Sequence, residues 1–251
     1  MSNPYGVLAH IYDAIGMSEF ARVMTPRLIE YAQQRDWVGR RVIDLGCGTG
    51  ASTRWLASHG YATTAVDTSP EMLEMARRTM PTSGLSLTWE QRDIRTLDET
   101  IGQFDMALAL DVVNDLSSLR DLEQTFAAVY RILDASKIFA FDMTTIQGLS
   151  ESAAQSDQIV YDDNSLFVMT QNEFDYDRQI AGKHYRLFQS DGNLWRRHEA
   201  RITLRGYPVQ AVLTLLQRTG YDIMATLTPD FATYQVGNGS GARVIVIAVK
   251  A

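Results

Sequence analysis

Cysteine is almost absent. Cys47 is the single one in 251 residues, so no disulfide can close within the chain, and a reducing, cytoplasmic compartment is the expectation. Basic residues are outnumbered, 23 Lys and Arg against 30 Asp and Glu, and a net charge of −7 repels DNA or RNA at long range. No apolar run approaches membrane-spanning length, and the opening MSNPYGVLAHIYDAIG lacks the basic start and sustained apolar stretch of a secretion signal. Neither nucleic acid nor membrane is expected as a partner. Internal repeats and low-complexity tracts are missing too, which excludes a solenoid or a disordered array.

What is present is a chain with 45% apolar residues, enough for a well-filled α/β core. Phe20, Val23, Met24, Leu28 and Tyr31 recur at helical spacing after Ile15, with Pro26 expected to start or kink a turn, so residues 1–35 read as an N-terminal helical cap. From Arg41 short apolar runs alternate with amphipathic segments, the mark of parallel βαβ units. RVIDL, ATTAVD, LSLTWEQRD, FDMALAL and KIFAFDM read as five strands in order. Ser69 caps a helix with Pro70 at its first position, and Leu119, Leu122, Phe126, Val129 and Leu133 line one face of another. Around Thr144 the alternation stops. Three extended runs, SLFVMTQNEFD, GKHYRLFQ and LWRRHEARITL, with SDGN as a turn, predict an antiparallel insertion over 144–205. A helix opened by Pro208 and the strands YDIMATL and ARVIVIAVK then return the chain to a core spanning 36–143 and 206–251.

The stretch VIDLGCGTG, residues 42–50, forms a strand tip, a tight glycine turn and a helix start. A dinucleotide fingerprint can be laid over Gly46, Gly48 and Ala51, with Asp67 as the ribose-binding acid about 20 residues on. Asp44 speaks against it, because a carboxylate about 4 Å from a phosphate costs on the order of 4 kcal/mol at an effective dielectric near 20. An acid there favours a cationic ligand that still needs close backbone approach, and S-adenosylmethionine fits. VGNGSG at 236–241 has similar glycine spacing but no acid-tipped strand before it, and reads as a flexible hairpin loop.

VIDLGCGTG, AVDTS, RDI at 92–94 and FDMALALDVVNDL together resemble the successive motifs of the class I S-adenosylmethionine-dependent methyltransferases. The resemblance covers about 40–142. It implies an α/β, Rossmann-like, doubly wound seven-stranded sheet with an antiparallel last strand, plus the small antiparallel β insertion after strand five. It also implies that the loop Gly46–Cys47–Gly48–Gly50 lies against the methionine part of the cofactor, with Asp44 beneath its ammonium. Asp67 takes the ribose hydroxyls, Thr68 and Met72 lie near the adenine, Asp93 accepts from its amino group beside Ile94, and Asp111 with Val112 lines the far side.

Methyltransferases acting on base amines or glutamine carry an Asn/Asp-Pro-Pro-aromatic run after strand four, whereas DVVNDL has no proline. YDAI near the start, LDVVNDL and the insertion resemble a small-molecule subgroup that includes N-methyltransferases of amino sugars and small amines. That resemblance places Tyr12, Asp111 and Asn114 at a small-molecule acceptor, methylated at nitrogen, in a monomer or homodimer without metal. His10, His184 and His198 titrate in the range of a general base. Glu173, Asp175 and Glu199 could hold an ammonium, and Arg186, Arg196, Arg197 and Arg201 a carboxylate or phosphate. Two other readings stay open: an NAD(P)-dependent oxidoreductase, and a non-catalytic adenosyl-ligand-binding protein.

Overall fold

The computed structural model describes residues 3–80, 84, 86–155, 157–237 and 241–251. Two helices open the chain, α1 (Pro4–Leu8) and α2 (Glu19–Gln33). There follow β1 (Arg41–Leu45), α3 (Ala51–Ser58), β2 (Ala62–Asp67), α4 (Pro70–Arg78), β3 (Leu87–Gln91) and β4 (Phe104–Ala109). Next come α5 (Leu119–Ile132), β5 (Leu133–Thr144), α6 (Ile146–Ala154) and the strands β6 (Gln158–Asp162), β7 (Leu166–Asp175), β8 (Ile180–Ser190) and β9 (Trp195–Arg205). The chain closes with α7 (Val209–Arg218), β10 (Tyr221–Leu227) and β11 (Arg243–Lys250).

Seven strands form one sheet in the order β10-β11-β5-β4-β1-β2-β3, parallel except for β11, which runs antiparallel to both β10 and β5. Helices cover both faces, and every residue of β4, at the centre, is buried. Alternation along the strands divides the core in two. Ile43, Ala107, Phe139 and Val246 face α5 and α7, while Val42, Met106, Ile138 and Ile245 face α2. On the first side Phe126, Phe139 and Phe141 pack with ring centroids 5.0–5.9 Å apart, each burial contributing roughly 1.5–3 kcal/mol. The strand order reverses between β1 and β4, and loops at the carboxyl ends of strands flanking such a point part to leave a crevice.

The second sheet is antiparallel, in the order β6-β7-β8-β9. It has four strands where the sequence predicts three. QIVYD pairs as β6 although residues 158–162 carry a weak pattern of exposed and half-buried positions. The inner face, Leu166, Val168, Tyr185, Leu187 and Ile202, packs against Leu8 and Ile11 of the N-terminal segment. That segment therefore lies between the second sheet and the carboxyl ends of the first.

Two further expectations give way. Pro26 stands inside α2 and does not end it; the helix is held by Met24, Leu28 and Ile29 packed on the sheet, and burial outweighs one missing backbone donor. Helix α6 forms where no helix is predicted, with the Thr145 hydroxyl accepting from the Gly148 amide at 3.1 Å as its cap. The glycine loop at 236–241 falls in part on residues 238–240, outside the described residues.

Candidate active site

β1 ends at Leu45 and the chain turns through Gly46, Gly48 and Gly50, at φ of +67°, +53° and +83°. Gly46 must lack a side chain for a second reason: a Cβ there would stand 2.5 Å from Val112 Cγ2. At Gly48 a Cβ would meet only Tyr12 Cε1, at 3.9 Å, so this backbone faces open space. Asp67, at the tip of β2, ties the turn down. Its Oδ2 accepts from the Gly48 amide at 2.9 Å and its Oδ1 from the Ser69 amide at 2.8 Å. Burial raises its pKa against those backbone donors.

Asp44 lies behind the loop, 2% exposed, and accepts from the Thr53 hydroxyl at 2.5 Å. Burial pushes its carboxyl up to about 6. Cys47 is buried against Leu73 and Ala65, and burial raises its thiol well above the usual range, so it is an inert turn residue. Gly50 packs on Ala76 and Trp89 at the start of α3. These three support the loop from behind, whereas Gly46, Gly48, Asp67, Thr68 and Met72 line a cavity of about 250 Å³ on its open side. Across that cavity stand Asp93 and Ile94, and Asp111 and Val112 after β4. Asp93 caps the short turn Ile94–Thr96 and is gripped by the Arg95 guanidinium at 2.5 Å, which holds its pKa below the usual carboxylate range.

A second cavity, of about 470 Å³, opens beneath the antiparallel sheet. Tyr5, Tyr12 and Asp111 belong to the walls of both. Hydrogen bonds fasten the N-terminal segment that carries the tyrosines: the Thr49 hydroxyl donates to Asp13 Oδ1 and the Tyr5 hydroxyl to Asp115 Oδ1, each at 2.6 Å. Desolvation inside the cleft, with the charges of Asp111 and Asp67 nearby, pushes Asp115 up to about 7.

Asp111 has a left-handed backbone, φ +58°, its amide donating to Asp142 Oδ1 at 2.7 Å. Arg243 Nη1 bridges Asp111 Oδ1 at 2.5 Å and Asp142 Oδ2 at 2.7 Å, and its guanidinium lies 3.9 Å from the Phe20 ring centroid. Non-glycine residues held in this region are strained by about 1–3 kcal/mol and persist where the surroundings over-determine them.

Three sequence expectations concern the acceptor side. Asn114 is buried with its amide committed to backbone: Nδ2 donates to Thr144 O and Arg205 O, at 3.0 and 2.8 Å, and Oδ1 accepts from the Thr144 amide at 2.8 Å. It lies in the wall of the second cavity, where the sequence reading puts it, and there its amide clips the strands together. None of His10, His184 and His198 lines either cavity; His10 meets Gln189 at 3.1 Å, and His184 faces Glu199 at 3.4 Å. The charged candidates of the insertion are likewise taken up away from the cavities. Glu173 pairs with Arg201, Glu199 with Arg197, Arg196 with Asp191 at 3.0 Å and Arg178 with Asp175 at 3.8 Å, while Arg186 reaches Gln171 at 3.3 Å. What the sequence reading missed is Asp115, next to Asn114 in the same turn, and Lys183, on the opposite face of β8 from His184 and Arg186.

Among the described residues no group of three or more His, Cys, Asp or Glu is arranged to hold a metal ion, and no helix is long and apolar enough to cross a membrane.

Comparison with known proteins bears on this geometry. The methyltransferase domain family matches residues 42–136, from β1 to the start of β5. The Bacillus subtilis protein YqeM, which carries the provisional name of a methyltransferase, is 28% identical over 193 residues, 76% of each chain. An S-adenosylmethionine-dependent methyltransferase from Clostridium acetobutylicum superposes with a TM-score of 0.82 at 26% identity, over 98% of this chain and 99% of that one. The sugar N-methyltransferase KedS8 from a Streptoalloteichus species shares the fold, with a TM-score of 0.68 at 18% identity over 93% and 86%. Of the readings left open by the sequence, these findings select the methyltransferase. The residues fit its cofactor: a backbone cradle at Gly46 and Gly48 that side chains would fill, faced by Asp67, suits a cationic adenosyl ligand better than a diphosphate.

Proposed function

We propose that the chain is a class I S-adenosylmethionine-dependent methyltransferase that methylates a nitrogen of a small molecule held beneath the antiparallel sheet. The observation that carries this reading is the pair of adjoining cavities with Tyr5, Tyr12 and Asp111 as their common wall. A cofactor on the glycine loop and an acceptor under the sheet would meet at that wall. Likeness of fold to a sugar N-methyltransferase supports nitrogen.

When bound, S-adenosylmethionine supplies an electrophilic methyl group on a sulfonium. Asp67 accepts the ribose hydroxyls on lone pairs that the Gly48 and Ser69 amides leave free. Asp93 would accept from the adenine amino group, with Ile94, Met72 and Thr68 in the same wall. Asp44, behind the turn, and Asp111, across it, contribute negative charge toward the ammonium and the sulfonium. Tyr12 stands at the junction and aligns the acceptor, and the N-terminal segment keeps water from the reacting atoms. An amine must offer its lone pair, so a proton has to leave the nitrogen. Asp115, raised to about 7 and hydrogen-bonded to Tyr5, is suited to receive it at neutral pH.

Incubation of the protein with small-molecule extracts and methyl-labelled S-adenosylmethionine tests the reading by mass spectrometry. The expected result is one labelled small molecule whose fragments keep the label on nitrogen. Label on oxygen or carbon overturns the choice of atom, and label confined to protein or RNA overturns the small-molecule acceptor.

A further inference from the structure

The acceptor cavity holds an unmatched charge. Lys183 projects from β8 into it, on the same face as Tyr185 and Leu187, and its direct partner across the strands on β9 is Ile202. Among the described residues its ammonium has no hydrogen bond and no ion pair. The other charged groups around it are already engaged. Arg243 holds Asp111 and Asp142, and Asp115 holds the Tyr5 hydroxyl. The remaining wall is largely apolar, with Ile15, Met17, Phe20 and Leu204. Burial and the neighbouring Arg243 charge lower the pKa of Lys183, against the opposing pull of the Asp111 and Asp115 carboxylates, neither of which pairs with it. The hydroxyls of Tyr12 and Tyr185 also lack partners among the described residues, and burial keeps both neutral. The cavity therefore presents a cation and neutral hydroxyls, and no uncommitted carboxylate, among its described residues.

From this geometry we infer that the acceptor carries a carboxylate, and that Lys183 binds it while the nitrogen points toward Asp111 and the glycine loop. One free cation among the described residues of the cavity suits a singly charged group. A phosphate would call on Arg243 as well, and that guanidinium is held by two carboxylates. This rests on the methyltransferase reading and adds to it an amino-acid-like acceptor, a small amine bearing a carboxylate.

The test uses the full chain and its Lys183→Met and Lys183→Arg variants. Calorimetry with S-adenosylhomocysteine comes first and should give the same affinity for all three, within about threefold; failure of the unaltered chain to bind it overturns the methyltransferase reading and not this one alone. Extracts are then labelled with methyl-labelled S-adenosylmethionine and passed over an anion-exchange resin at about pH 11.5, where the amine is neutral and a carboxylate leaves a net anion. The labelled product should be retained, and retention should survive phosphatase treatment. Lys183→Met should raise KM for that retained fraction at least tenfold with kcat within about threefold, and Lys183→Arg should recover most of the loss. A labelled product in the unretained fraction, retention abolished by phosphatase, or a Lys183→Met KM within twofold of the original overturns the carboxylate assignment.

Discussion

Arg243, on the last strand, holds the Asp111 carboxylate at 2.5 Å on the wall between the two cavities, and the same nitrogen reaches the fully buried Asp142 at 2.7 Å. One guanidinium thus links the turn after β4, the interior of β5 and the Phe20 ring of the N-terminal region. Burial raises the pKa of Asp142 and Arg243 opposes that shift. Arg243→Met should cost about 3–5 kcal/mol of stability at pH 8, because a buried charge loses its partner. At pH 5.5 the loss should shrink, since Asp142 can then take up a proton. Denaturant unfolding at the two pH values checks both the size and the sign, and a second change, Asp142→Asn, should recover part of the loss at pH 8.

Gly46 and Val112 meet across the mouth of the cofactor cavity, where an added Cβ would sit 2.5 Å from Val112 Cγ2. Gly46→Ala should weaken S-adenosylhomocysteine binding at least about tenfold, through the steric conflict and the cost of a left-handed alanine together. Combining it with Val112→Ala removes only the first of these. The double variant should therefore recover part of the affinity, and the non-additivity measured by calorimetry reports the direct contact. Strict additivity would show that the two side chains do not collide.

How much of this was legible in advance follows from which physics acted locally. RVIDL and ATTAVD are strands at the bounds expected of them, because short β-branched runs ending in an acid and a turn leave little choice. Ser69 caps α4 as its position before Pro70 implies, accepting from the Met72 amide at 3.3 Å. Helix α1 and strand β6 were not legible: each is five residues long and exists through packing or pairing with distant partners. Lys183 illustrates a different limit. In GKHYRLFQ either parity mixes polar and apolar residues, so the run does not say whether Lys183, Tyr185 and Leu187 or His184, Arg186 and Phe188 face inward. A one-residue slip exchanges the two sets. The charged side chains noticed first in the sequence belong to the outer face, apart from Arg196 at the far end of β9, and the inner lysine emerges only from the register of β8 with β7 and β9. Asn114 was legible as a residue of the right turn but not as a clip, since Thr144 and Arg205, the residues whose backbone it binds, lie 30 and 91 positions away.

Asp67 is the residue through which the ribose assignment stands. Asp67→Ala should lower S-adenosylhomocysteine affinity by roughly 100-fold or more, because hydrogen bonds to a charged acceptor are worth about 1.5–3 kcal/mol each and two are lost. Part of the effect belongs to the loop, which loses its ties at Gly48 and Ser69. Asp67→Asn separates the two contributions. It can keep one backbone tie but places a donor where the other stood, so its affinity should lie between those of the other two proteins. Binding by Asp67→Ala at the unaltered strength removes this residue from the cofactor site.

The last expectation concerns pH, and its sign is set by carboxyls that burial has raised. Asp44 titrates at about 6 and Asp115 at about 7, against an ordinary value near 3.9. A carboxyl with a raised folded value favours its protonated form, so its contribution to stability is greatest below the unfolded value and is lost as pH climbs through the folded one. For Asp44, sealed behind the glycine turn, that loss runs from about pH 4 to about pH 6. A cationic ligand reverses the preference, since it stabilises the ionised carboxylates and expels their protons. Affinity for S-adenosylmethionine should therefore rise by about tenfold or more between pH 5.5 and pH 8. Calorimetry in two buffers of different ionisation enthalpy should show net proton release at pH 6. The effect should be smaller in Asp115→Asn, which has one fewer group to ionise. An affinity that is flat over this range, with no protons released, would mean that neither carboxyl senses the cofactor's charge, and the electrostatic account of the glycine turn would have to be abandoned.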